Sequence, residues 1–184
     1  MTKKIGFIIG SLREDSYNKM VAKKFSNLLP EGFEAVFLEI GNLPFYNEDL
    51  DAEGKTPSEW VEFRKAVKTL DGVFFFTPEY NRSIPAVIKN ALDVASRPAG
   101  QNVWAKKPGL VISVSPGPIG GFAANHHLRQ ALVCLDVPVL PQPEAYIGGI
   151  QNFIDEQGKF VPRTAEFFQK IVNAYMLFFK KLTA

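Results

Sequence analysis

The chain has almost no cysteine or histidine, with one Cys and two His among 184 residues. A lone thiol, Cys134, cannot close an intrachain disulfide and cannot build a thiolate metal cluster. It sits among Leu132, Val133 and Leu135, which reads as a buried, inert thiol. His126 and His127 are neighbours, so on a helix they point in different directions and lack the i, i+4 spacing of a metal pair. They read as surface or interface histidines, and no metal is expected. Several nucleotide and catalytic signatures are missing as well. There is no Gly-x-Ser-x-Gly elbow for hydrolysis, no Gly-Lys-Ser/Thr phosphate loop and no Gly-x-Gly-x-x-Gly fingerprint. No apolar run reaches membrane-spanning length, and the N-terminal run is too short for a secretory signal. Charge is nearly balanced, 21 Lys and Arg against 19 Asp and Glu, which implies no nucleic-acid partner. The expectation is a soluble cytoplasmic protein with no membrane association.

What the chain does have is alternation. Residues 1–184 fit one domain with a substantial core. Ile5–Ile9 and Val73–Phe76 are unbroken apolar runs, and Leu110–Val114 is apolar but for Ser113, the pattern of central parallel strands covered on both faces. Phe33–Ile40 reads as a further strand, and Val137–Leu140 as a short fifth one broken up by prolines. Helical stripes lie between them. One follows Ser16, and one starts at Thr56-Pro57-Ser58-Glu59, where Thr56 and Glu59 have capping-box spacing and Pro57 suits the first helical position. Others follow Pro85, run from about Phe122 to Leu135, and start near Thr164. Residues 41–56 form the longest candidate loop, and 142–161 read as irregular. Strictly alternating strands and helices predict a doubly wound parallel sheet of five strands with helices on both faces.

Three polar loops marked by Gly or Pro follow the carboxyl ends of strands: 10–18, 77–85 and 115–121. In a doubly wound sheet such loops meet at one edge, where ligands bind. The first offers Ser11, Arg13, Ser16 and Asn18 at the start of a helix, a combination suited to phosphate. An ordinary capped turn explains the same residues. In the second, Glu79 and Asn81 could hydrogen-bond a heterocycle while Tyr80 packs on it; a turn held by prolines is the plain alternative. Arg97 could face an anionic substrate, or serve only as a cation at a helix C-terminus. No nucleophile, acid–base pair or metal cluster emerges. A protein that leaves its chemistry to a bound cofactor has that character.

Gly10-Ser11-Leu12-Arg13-x-x-Ser16-x-Asn18 and Thr77-Pro78-Glu79-Tyr80-Asn81-x-Ser83-Ile84-Pro85 together resemble the paired signatures of the NADPH-dependent FMN reductase family. The likeness is greatest to its bacterial quinone/chromate reductase and azoreductase branch. Ile119-Gly120-Gly121, His127-Leu128-Arg129-Gln130-Ala131-Leu132 and Pro143-Glu144 are similar to later segments of that branch. The resemblance implies a flavodoxin-like fold with non-covalent FMN and NAD(P)H as co-substrate. It places Ser11, Arg13, Ser16, Tyr17 and Asn18 around the phosphate. It places Pro78, Glu79, Tyr80, Asn81, Arg82 and Ser83 along the isoalloxazine, and Ser115, Gly117, Gly120 and Gly121 at the closing side. It further implies electron delivery to a quinone, with chromate or azo compounds as other acceptors, and a homodimer or homotetramer. Two positions depart from the family pattern: Ala86 where Gly is usual, and Val94 where Trp is frequent. Neither lies in the phosphate loop. A flavodoxin-like electron carrier that does not turn over NAD(P)H is the other reading, as is a module binding a different phosphate.

Overall fold

A computed structural model describes residues 2–183; Met1 and Ala184, the ends of the expected 1–184 domain, lie outside the described residues. Five parallel strands, β1 (Lys3–Ile9), β2 (Phe33–Leu38), β3 (Gly72–Thr77), β4 (Gly109–Val114) and β5 (Ala145–Ile147), form one sheet in the order β2-β1-β3-β4-β5. The fold is flavodoxin-like. Helices α1 (Tyr17–Ser26), α2 (Ser58–Lys68), α3 (Ala86–Ala95), α4 (Phe122–Cys134) and α5 (Pro162–Thr183) connect and cover the strands. β3 and β4 are buried at every residue, which is why their runs show no alternation.

Strand pleating divides these runs between two cores. Ile5, Phe7, Phe74, Phe76 and Ile112 face α1 and α5, where Phe25, Phe168 and Tyr175 pack on them. Ile8, Val73, Phe75 and Val111 face α2, α3 and α4, against Trp60, Ile88 and Leu128. Tyr175 donates its hydroxyl to the Pro108 carbonyl at 2.8 Å, and burial pushes that phenol well above its usual range.

Several local expectations are corrected. The fifth strand is Ala145–Ile147, paired with Ile112–Val114, and not Val137–Leu140. Residues 137–140 make a single bridge at Gly109. Pro138 and Pro141 flank it and lack the N–H groups that would extend a ladder. Helix α2 begins at Ser58, one residue later than the capping-box reading. Trp60 and Val61 donate to the Pro57 carbonyl, and no side chain caps that end. Cys134 is exposed, because the buried face of α4 runs through Ala124, Asn125, Leu128 and Leu132. α5 starts at Pro162, a little before Thr164. The long 41–56 loop holds a short 3-10 turn and is tied down by Asn90. That amide donates to the Leu43 and Pro44 carbonyls at 3.1 Å and accepts from Tyr46 N–H at 2.8 Å.

Candidate functional site

The three loops meet at the carboxyl edge of β1, β3 and β4. Gly10 closes β1, and its N–H donates to the Phe76 carbonyl at 2.8 Å. A Cβ there would collide with Ile88 of α3 and lie 3.3 Å from Pro78 Cδ. Glycine is what lets the first loop, the second loop and α3 approach so closely. Beyond it, Ser16 caps α1 by accepting from Lys19 N–H at 3.3 Å. Ser11 and Asn18 are buried, and Arg13 is exposed at the rim. The Asn18 amide oxygen is buried without a hydrogen-bond partner. An unmet buried acceptor costs on the order of 1–3 kcal/mol, so this amide is poised for a group from outside the chain. Its two ends interchange by a flip. It therefore suits a phosphate oxygen or a polyol hydroxyl equally well.

The second loop is a tight hairpin. Tyr80 and Ser83 exchange two backbone hydrogen bonds of 3.0 Å, and the residues between them, Asn81 and Arg82, have φ of 51° and 64°. Two successive left-handed residues make a primed turn, and Arg is rare there. α4 holds the turn in place. Glu79 accepts from the Ala124 N–H at 3.1 Å, and His127 Nδ1 lies 3.1 Å from Ser83 Oγ. Arg82 is 3.6 Å from Glu79 and 74% exposed. Glu79 thus holds the N-terminus of α4 with one carboxylate oxygen, while the other lies toward Arg82. Tyr80 stands at the rim, 48% exposed.

The third loop packs on a segment that the sequence reading left irregular. Ser115 N–H donates to the Ile147 carbonyl at 3.0 Å, and Gly149 N–H to the Gly117 carbonyl at 3.0 Å. Ser115 Oγ donates to the Gly117 carbonyl at 3.0 Å. A Cβ on Gly120 would lie 2.8 Å from Gly148 N, and Gly120 has φ of 67°. The Gly148-Gly149 pair just after Ala145-Tyr146-Ile147 was the signal for this wall. Tyr146 Oη is 3.0 Å from His126 Nε2; burial, then Glu144, pushes the phenol up to about 12.

The structure thus brings together Ser11, Arg13, Ser16, Tyr17 and Asn18 with residues 78–83 and with Ser115, Gly117, Gly120 and Gly121. It does not bring Arg97 to them. Arg97 follows the C-terminal end of α3, about 15 Å along that helix from the second loop. There it acts electrostatically on Tyr46, whose hydroxyl donates to Asp51 at 3.0 Å. Among the described residues, no three His, Cys, Asp or Glu side chains gather as a metal site requires. No described helix is long and apolar enough to cross a membrane.

Comparison with known proteins agrees with this geometry. The family model for NADPH-dependent FMN reductase matches residues 3–152. A quinone reductase of Pseudomonas putida is 49% identical over 93% of this chain and 91% of its own length. A 2-hydroxy-1,4-benzoquinone reductase of Burkholderia sp is 43% identical over 95% of both chains. The solved structure of FerB, a flavoenzyme NAD(P)H:(acceptor) oxidoreductase from Paracoccus denitrificans, superposes with a TM-score of 0.90 at 38% identity, covering 98% of each chain. With a family match across residues 3–152 and this degree of likeness along its length, the chain belongs to the NADPH-dependent FMN reductase family, oxidoreductases that work with FMN and NAD(P)H.

Proposed function

We propose that this chain binds FMN across the three loops and passes electrons from NAD(P)H to a quinone. The observation that carries the reading is the cradle at residues 10–18, with its buried, unpartnered Asn18 amide beside Ser11 and the capped start of α1. Bound there, FMN would accept hydride from NAD(P)H and return the electrons to the quinone. The protein's own part is to hold and shield. Ser11, Ser16 and Asn18, with the first N–H groups of α1, would take the phosphate, and Arg13 would close over it from the rim. Tyr17 sits half-buried at the first turn beside them. Asn81 and Arg82 do not spend their N–H groups in the backbone bonds of the turn, which leaves those donors for the polar edge of a flavin ring. Pro78, Glu79, Tyr80 and Ser83 shape that turn. Ser115, Gly117, Gly120 and Gly121 form the opposite wall and admit a ring close to backbone.

Chromate and azo compounds belong to the proposal as further acceptors. The rim exposes Tyr80, Ile119 and Phe122, and burying them would favour a homodimer or homotetramer with the site near the subunit contact. The deciding experiment is the visible spectrum of the purified protein under anaerobic conditions, with NADPH and then with excess quinone. Flavin bands that bleach and return establish both half-reactions. Bands that neither NADPH nor NADH bleaches would make the chain a carrier reduced by another protein. A protein that stays colourless after FMN is added would overturn the reading.

A further inference from the structure

A second cleft opens on the side of the phosphate loop away from the ring-binding loops, and FMN alone would leave it unfilled. It measures about 410 Å³, and its lining includes Ser11, Leu12, Lys19, Phe37, Glu39 and Gly41. Its surface is unusual for solvent-facing protein. Phe37 leans on the buried Phe7, with ring centroids 5.1 Å apart, yet 47% of it is exposed. Leu12 is 51% exposed and is seated against Gly41, where a Cβ would come within 3.0 Å of it. Together they make a fixed apolar shelf inside a concavity, the form of a small-molecule site. Glu39 is already engaged, accepting from Gly41 N–H at 2.8 Å. Lys19 makes no ion pair with any described residue and supplies a free cation at the edge of the shelf.

The strand order fixes what this cleft adjoins. The ring-binding loops follow β3 and β4, the cleft lies at the end of β2, and the phosphate loop follows β1, between them. A phosphate held by the loop after β1 therefore lies between the ring-binding loops and this cleft. Ser11 belongs to both the cradle and the cleft. We infer that the cleft is an adenylate subsite, in which the adenylate half of FAD would lay its purine on Phe37 and Leu12 and set its second phosphate near Lys19. The inference rests on residues 11–18 being the flavin phosphate cradle. The adenylate half of NAD(P)H presents the same chemistry, and the two sources separate experimentally.

The full-length protein, stripped of flavin, is titrated calorimetrically with FMN, FAD and ADP, as wild type and as Phe37→Ser. A KM for NADPH is measured on the FMN-loaded forms. Stacking of a base on an aromatic ring is strong enough that its loss should weaken FAD binding about tenfold. FMN affinity should not change. An unchanged NADPH KM then assigns the adenylate to FAD, whereas a raised KM with unchanged FAD affinity assigns it to the nicotinamide nucleotide; either outcome establishes the subsite. Lys19→Gln repeats the test from the helix side in case the strand substitution disturbs folding. FAD and ADP affinities and an NADPH KM that are indifferent to both substitutions would refute the subsite while leaving FMN binding intact. Failure of FMN itself to bind would count against the cradle, and the ADP titration would still report on the cleft.

Discussion

Glu79 is the residue whose loss the structure makes most specific. Its carboxylate accepts the Ala124 N–H at 3.1 Å, at the start of a helix whose N-cap is Gly121 and which has no side-chain cap of its own. Glu79 thus caps α4 from 45 residues away. A charge-assisted bond of this kind contributes about 1.5–3 kcal/mol, and loss of an N-cap costs about 0.5–2 kcal/mol. These describe one interaction and are not summed. The Arg82 partner is 3.6 Å away and 74% exposed, so that ion pair contributes near zero. Glu79→Ala should therefore cost about 2 kcal/mol, a fall in Tm of about 4–8 °C for a chain this long. Glu79→Gln keeps an acceptor oxygen and should cost about 1 kcal/mol. Arg82→Ala should be nearly neutral. Urea unfolding of the flavin-free chain measures all three. FMN affinity should follow the same order, because the bond also anchors the Tyr80–Ser83 turn to α4. A Glu79→Ala protein as stable as wild type, or an Arg82→Ala protein as damaged as Glu79→Ala, would refute the reasoning.

Other substitutions probe the remaining walls. Arg13→Ala should weaken FMN by about 1.5–3 kcal/mol through the lost charge-assisted phosphate contact, read by fluorescence titration; unchanged affinity removes Arg13 from the cradle. Asn18→Ala should weaken FMN about tenfold yet leave the flavin-free chain within about 1 kcal/mol of wild type, since it deletes an unmet buried acceptor. A large loss of flavin-free stability would show that the amide is structural. Gly120→Ala forces a Cβ to 2.8 Å from the Gly148 backbone at a left-handed position, and should cost more than about 2 kcal/mol in urea unfolding; a neutral result would mean that the loop shifts freely. Burial alone would raise the Asp71 carboxyl, but the Lys4 N–H at 2.8 Å and the Lys3 ammonium at 2.9 Å outweigh it and hold it below the usual range. Its contribution is present above the unfolded pKa of about 3.9 and is lost as pH falls through the lower folded value. Asp71→Asn should thus cost about 1 kcal/mol at pH 7 and progressively less below about pH 4; a cost independent of pH would contradict this.

Reading the chain alone recovered the sheet because its causes are local or periodic. Val73–Phe76 is wholly apolar and Leu110–Val114 nearly so, which left them to lie between two layers of helices. Ser16 had to cap what followed, since its partner is three residues away. Chain order and strand direction then put loops 10–18, 77–85 and 115–121 on one edge without any knowledge of contacts. The paired motifs in the first two of these loops pointed to the family for the same reason: each is a contiguous piece of sequence.

What escaped the sequence depends on partners far along the chain. β5 proved to be Ala145–Ile147 because pairing with Ile112–Val114 requires successive N–H donors, which the prolines around Val139 deny. That Glu79 also caps the bare N-terminus of α4 was not legible, because the two lie 45 residues apart. Cys134 read as buried until the helix turned it outward. The shelf formed by Phe37 and Leu12 needed β2 to be docked beside β1 before it existed. Sequence by itself determined the elements and the edge at which they end, because steric and hydrogen-bonding rules act over a few residues. Tertiary structure alone decided which side chains face one another across that edge, because register and crossover bring together groups that are tens of residues apart.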